Sequence, residues 1–226
     1  MAEKFRRYLL GAGLMFAAFL LYQAANLPAD LASFIKHPTM IEQLLLGGAT
    51  TILAGLVIWF LIYFYRYGLA HREDDYFAQQ PTRKRKWAIA GVALIGLFAL
   101  LMAQSLIREA PSENQHLINE MLKKTPWLTA YTAVIIAPII EELIFRGLFY
   151  NYFFIKLGQR WLLVVGVVVN GLLFASIHTS LWSPSAWIYF FMGALFASMY
   201  VKTRDLRFSI GLHMFNNALG MLPVLL

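Results

Sequence analysis

Two adjacent carboxylates inside an apolar run, Glu141 and Glu142, are the residues of this sequence best placed to do chemistry. They lie in WLTAYTAVIIAPIIEELIFRGLFYNYFF, residues 127–154, which is long and apolar enough to cross a bilayer. A charge at membrane depth costs roughly 2.5–3.5 kcal/mol or more, so it pairs or serves a site. Arg146 stands four residues after Glu142, on the same helix face and in the better acid-to-base order. That pair can neutralise itself. Glu141 is rotated about 100° from Glu142 and has no partner at that spacing, which leaves it free for chemistry.

Two other apolar runs carry polar groups at four-residue spacing. Asn170, Phe174 and His178 line one face of the first; His213 and Asn217, with Asn216 beside them, interrupt the second. A carboxylate and two imidazoles suit hydrolysis. Glu141 would take a proton from water, His178 would orient that water, and His213 with Asn217 would stabilise the oxyanion of an attacked carbonyl. An alternative uses Glu141, His178 and His213 as ligands of a zinc ion that holds the water. Residue types and spacing leave both open. Pro138, one turn before Glu141, removes a backbone N–H and leaves a carbonyl in need of another partner.

These residues need helices at bilayer depth, and the composition supplies them. The 226 residues are 60% hydrophobic and 14% charged, well below the roughly 25% charged of soluble domains. Spans are expected at roughly 8–27, 42–66, 87–106, 127–154, 161–178, 186–201 and 208–224. The result is an all-α polytopic bundle of about seven spans (six to eight), one integral-membrane domain over 1–226. The start KFRRYLLGAGLMFAAFLL imitates a signal peptide, but no convincing cleavage signal follows, so a retained first span is expected. Residues 107–126, with Arg108, Glu109 and Glu113, read as a polar, amphipathic connector on the outer side.

Net charge is +7, and the basic residues fall between apolar runs, at Lys4, Arg6 and Arg7, at Arg83–Lys86, and at Lys202, Arg204 and Arg207. That placement puts the N-terminus in the cytoplasm and suits anionic lipid at that face; it argues against nucleic acid as a partner. With no cysteine, thiolate metal sites and cysteine nucleophiles are excluded. At 1.5 Å per residue, Glu141 lies about 20 Å below the outer start of its span and His213 about 17 Å below the outer end of its own. His178 falls near the outer edge if its span is straight, so that span must start deeper, break near Gly166 or Gly171, or have a different boundary.

The three groups resemble, in order, the motifs of the CPBP family of intramembrane proteases, also called the CAAX-protease and bacteriocin-processing, or Abi, family. Glu-Glu-x-x-x-Arg stands as EELIFR, Glu141 to Arg146; Phe-x-x-x-His as FASIH, Phe174 to His178; and His-x-x-x-Asn as HMFNN, His213 to Asn217. The resemblance covers about 127–220, the expected catalytic core. It implies Glu141 as the water-activating base, His178 as its partner, and His213 with Asn217 as the oxyanion pair. Glu142, Arg146 and Phe174 would then be supporting groups. The family is often labelled metalloproteases, while its eukaryote-type branch is read as a metal-free glutamate protease; the glutamate version is expected here, with no cofactor, and zinc is its alternative. The resemblance also makes a straight fifth span the error in the depth estimate.

The implied partner is a membrane-anchored peptide or protein: a prenylated C-terminal peptide in the eukaryote-type branch, a leader peptide, bacteriocin or membrane protein in bacteria. A short chain without cysteine looks bacterial, in the cytoplasmic (inner) membrane. Against proteolysis stand a proton-coupled transporter, which also uses buried carboxylates and histidines, and a non-catalytic immunity or scaffold protein. Asn170 and Asn216 read as packing groups, and His37, His71 and His116 as surface residues.

Overall fold

A computed structural model of the chain describes residues 2–106, 112–157 and 159–225. The described residues form helices only: α1 Ala2–Phe34, α2 Met40–Ala70, α3 Arg83–Leu106, α4 Glu113–Lys124, α5 Pro126–Phe153, α6 Arg160–His178, α7 Ser185–Thr203 and α8 Leu206–Leu225. Seven of them coincide with the seven expected spans. The first three, α5 and α6 are long and apolar enough to cross a membrane; α7 and α8 are diluted by polar residues and fall short of that measure. The amphipathic connector is α4, capped by Ser112 Oγ on the Gln115 N–H at 3.3 Å. Arg108 and Glu109, assigned to the same connector, lie outside the described residues.

Helix α5 is the centre of the bundle. Half of its most apolar stretch is buried, against 11% for α3, whose outward face is left for lipid. Helices α1 and α2 pair on one side of it and α8 packs along another. Its residues Ile140, Leu148 and Tyr150 join Leu61, Phe174 and Phe196 in a fully buried core.

The helix carrying the phenylalanine–histidine motif, α6, packs closely on α7, because small residues let their backbones approach. A Cβ at Gly193 would lie 2.6 Å from Phe174 Cβ, and one at Gly171 would lie 2.8 Å from the Phe190 carbonyl. In lipid, where the helices gain little by hiding apolar surface from water, such backbone approach is a main source of association. Helix α6 is continuous through Gly166 and Gly171, and its start lies where expected. Of the alternatives left open for this span, neither the deeper start nor the break occurs; those glycines serve packing, Gly166 against Tyr150 and Phe154.

The basic residues gather at one end of the bundle, and several are structural rather than free. Arg72 donates to the carbonyls of Tyr150 and Phe154, both at 2.9 Å, and Arg7 to that of Asn151 at 2.7 Å. The last turn of α5 has no helical donors of its own, so two guanidinium groups close it. Lys86 bonds to Asp205 at 2.9 Å in the turn between α7 and α8. Hydrogen bonds from Arg207, against partial burial, and from Lys86 hold the Asp205 carboxyl down to about 2. Because that value is depressed on folding, the contribution is present at neutral pH and fades as pH falls from about 4 towards 2.

Placing a methyl at Gly193 should force α6 from α7. Gly193→Ala should lower stability by about 1–3 kcal/mol, whereas Gly91→Ala on α3, with no atom near its Cβ position, should change it by less than about 0.5 kcal/mol. Unfolding of the detergent-purified variants measures both.

Candidate active site

The helical ladder of α5 is broken on both sides of the glutamate pair. Residues Thr132–Ile136 and Leu143–Leu148 are π-helical, and only Ala137–Glu142 between them is α-helical. In the first π segment the Ala137 N–H bonds to the Thr132 carbonyl. The next bond in that register would run from residue 138 to Ala133, and residue 138 is proline, without an N–H. The stranded Ala133 carbonyl accepts instead from Asn217 Nδ2 at 2.8 Å. After the second segment the Phe149 N–H bonds to the carbonyls of Ile144 and Arg146, passing over Phe145. The Phe145 carbonyl takes the amide of Asn170. Two asparagines from neighbouring helices thus supply the bonds that α5 lacks, as buried carbonyls require.

Glu142 and Arg146 are the buried ion pair expected from their spacing. Arg146 Nη1 lies 2.8 Å from Glu142 Oε1, and both side chains are fully buried. The guanidinium also donates to the Gly193 carbonyl at 2.9 Å and stands over the rings of Phe174 and Phe196, 5.1 and 5.5 Å from their centroids. Spacing did not reveal the third partner: His213 Nδ1 lies 3.0 Å from the same Glu142 Oε1. An ionised carboxylate only accepts, so Nδ1 carries the proton and donates. The ring stacks on Phe196 at 4.7 Å.

Glu141 points the other way, into a cavity of about 420 Å³ bordered by α1, α4, α5 and the ends of α6–α8. Its Oε2 is buried, has no hydrogen-bond partner, and lies 3.8 Å from both His178 Nε2 and His213 Nε2. His178 Nδ1 sits 2.8 Å from the Phe174 carbonyl. A carbonyl also only accepts, so the neutral His178 ring presents an unprotonated Nε2 to Glu141. Phe174 joins the parts: it stacks on His178 at 4.1 Å, meets His213 edge-on at 5.7 Å and lies under Arg146.

Glu141, Phe174, His178, His213 and Asn217 therefore border one cavity, at the end of the bundle away from Arg7 and Arg72, and Glu142 and Arg146 are buried beside it. Glu141, His178 and His213 meet although a uniform rise from the outer ends of straight spans placed His178 nearer the outer edge. Asn217 borders the cavity while holding Ala133 with one amide proton; its Oδ1 accepts from Asn216 at 3.1 Å. Sequence reasoning missed Tyr22 of α1, whose hydroxyl faces Glu141 with Asn26 beside it, and Tyr189, stacked on His178 at 5.1 Å. The signal for the first was partly present, since Tyr22 and Asn26 are four apart within the expected span 8–27; Asp30 lay in the loop expected after it, whereas α1 runs on to Phe34.

The zinc alternative asks Glu141, His178 and His213 to close on one ion. Their chemistry suits it: each Nδ1 is held by a carbonyl or carboxylate and each Nε2 turns inward. Among the described residues no group of three His, Asp or Glu is found in a metal-holding arrangement, and Glu141 Oε2 lies 3.8 Å from each Nε2, wider than the roughly 3.3 Å between donors around a tetrahedral zinc.

A helical membrane bundle with a buried Glu–Arg–His cluster beside a polar cavity defines the class. Residues 123–219 match the family model described as Type II CAAX prenyl endopeptidase Rce1-like. The chain is similar to the membrane-embedded CAAX protease MroQ of Staphylococcus aureus, 28% identical over 138 residues, 58% of this chain and 54% of the relative. It is also similar to the UPF0177 protein YvdC of Lactococcus lactis, 30% identical over 144 residues, 61% of this chain and 52% of the relative. No solved structure matches it. The segment 123–219 is thus similar, at the level of the family, to the CPBP/Rce1-like CAAX proteases. It spans about half the length of these curated relatives. Five spanning helices and bacterial relatives make it an integral protein of the bacterial cytoplasmic (inner) membrane.

Removing one member of the buried pair strands the other. Arg146→Ala should cost about 3–5 kcal/mol, read as lost stability in detergent and lower yield. Asn217→Ala should cost about 1–3 kcal/mol through the Ala133 carbonyl. In a Pro138→Ala background, where residue 138 regains its N–H, that cost should shrink. An undiminished cost in the double variant would reject this account of Asn217.

Proposed function

We propose that the chain is an intramembrane endopeptidase that hydrolyses a peptide bond of a membrane-anchored peptide or protein with a water activated by Glu141. The observation that carries this is Glu141 Oε2: buried, without a hydrogen-bond partner, and 3.8 Å from two imidazole nitrogens. Glu141 Oε2 and His178 Nε2 are both acceptors, and two acceptors at that separation call for a donor between them. A water provides one O–H to each. On attack, Glu141 takes the proton, the water oxygen bonds to the peptide carbonyl carbon, and the proton passes to the leaving amine.

The carbonyl oxygen becomes an oxyanion and needs donors. Asn217 has a second amide proton beyond the one given to Ala133. His213 gives its Nδ1 proton to Glu142, so it donates from Nε2 only when the ring carries both protons. With Arg146 and Glu142 mutually neutralised, that protonated ring would balance the negative charge of Glu141. The orientation that fits is a cytoplasmic N-terminus and seven spans, with α7 and α8 shielded by the other helices. The arginine-rich end then meets anionic lipid, and the cavity opens towards the outer leaflet.

Cleavage of a panel of membrane-anchored peptides by the purified protein tests this. Glu141→Gln should lower the rate by about 10²–10⁴-fold while leaving the fold intact, and zinc chelators should leave the wild-type rate unchanged. Chelator loss restored by zinc would move Glu141, His178 and His213 into a metal shell. Proton flux in liposomes without cleavage would favour the transporter, and cleavage that survives Glu141→Gln would remove the site assignment.

A further inference from the structure

The wall of the cavity opposite His178 is built by α1, and the whole lining has a one-sided polarity. In a chain of net charge +7, the charged residues that border it are Glu141 and Asp30, with no lysine or arginine among the described residues. Its orphaned polar atoms are all acceptors. Asn26 Oδ1, Glu141 Oε2 and Asn216 Oδ1 are buried on the cavity wall without a donor. The Asp30 carboxylate has no hydrogen-bond or ion-pair partner among the described residues; only its backbone carbonyl is engaged, by Ser33. Buried acceptors left open cost about 1–3 kcal/mol each unless something donates to them. One water serves Glu141. Of the remaining acceptors, Asn26 and Asp30 lie one turn apart on α1, two turns of which separate Tyr22 from Asp30.

We propose that Asp30, with Asn26 one turn below it, is a specificity site that receives a lysine or arginine side chain of the peptide substrate. This rests on the cavity holding a peptide at Glu141, as proposed above. The placement follows from the helix: Tyr22 faces Glu141, and Asp30 is eight residues further, about 12 Å along α1. An extended chain advances about 3.3–3.6 Å per residue, so the cationic residue sits about three or four positions from the scissile bond, or fewer when a long side chain reaches back. A carboxylate at the rim of a low-dielectric cavity attracts a cation more strongly than one in water. It also disfavours an acidic residue there and gains nothing from a purely apolar one. Glu141 alone does not account for the selectivity, because its charge is held between two imidazoles.

Binding can be read without turnover. The full chain carrying Glu141→Gln, purified in detergent, would be titrated against dye-labelled, N-acetylated apolar peptides with one internal lysine, norleucine or glutamate. A norleucine peptide with a free amino terminus separates a side-chain cation from a terminal one. The lysine peptide should bind at least about tenfold tighter than its norleucine partner, as expected for a charge-assisted hydrogen bond. Asp30→Asn should abolish that difference, and Asp30→Lys should transfer the preference to the glutamate peptide. Equal binding of lysine and norleucine peptides, no binding of any peptide, or a lysine preference that survives Asp30→Asn would overturn the proposal. So would a free-amine peptide that matches the acetylated lysine peptide. A lysine preference in a protein that cleaves nothing would keep this site and reject the protease. Glu141-dependent cleavage indifferent to lysine would do the reverse.

Discussion

Burying Glu142 together with Arg146 is the constraint around which the bundle is arranged. Neither charge can be tolerated alone in an apolar interior, and the pair by itself leaves guanidinium protons and carboxylate lone pairs unspent. The protein meets these with the Gly193 carbonyl, the His213 imidazole and the faces of Phe174 and Phe196. Each of those comes from α6, α7 or α8, so the ion pair of α5 fixes where three other helices must lie. The glycine at 193 has two roles at once: its carbonyl receives Arg146, and its missing side chain lets Phe174 approach. Neutralising the pair and building the cavity wall are thus one structural event.

The sequence made the helices and the three polar groups legible because bilayer length and four-residue spacing are local properties. All seven expected spans coincide with helices, and Glu142–Arg146 pairs as its spacing demands. Long-range consequences were not legible. Spacing could show that His213 and Asn217 share a face, but not that His213 would reach back to Glu142. It could show that Pro138 strands a carbonyl, but only the π register identifies that carbonyl as Ala133 and Asn217 as its donor. The depth estimate erred for the same reason, since it treated each span as straight and independent of the helices packed against it. Arg72 and Arg7 read as topology signals, and they close the end of α5 as well.

The first helix illustrates a further limit. The resemblance to known proteases begins near the start of α5, and so does the matched family segment, so α1 looked like a generic span. It supplies Tyr22 opposite Glu141 and much of the polar cavity wall. The four-residue spacing of Tyr22 and Asn26 has the same form as the motifs in α6 and α8; it went unweighted because nothing tied it to chemistry before the helices were brought together.

Two consecutive glutamates live apart here although both sit in one regular α-helical turn. Adjacent residues of a regular helix differ by about 100°, which in a crowded bundle often places both near the same neighbours. Here the α-helical turn of Ala137–Glu142 is set between two wider segments, and the bundle seals Glu142 completely while Glu141 keeps an edge on the cavity. Wide turns are costly in backbone hydrogen bonds, and Asn170 and Asn217 offset that cost at the carbonyls they reach. One carboxylate is then fixed by an arginine and a histidine, and its neighbour is left with an open acceptor beside two imidazoles. Divergent surroundings for paired carboxylates are what separate a structural charge from a reactive one. In this chain the separation is made by the neighbours each carboxylate meets, Arg146 and His213 for one and the cavity for the other.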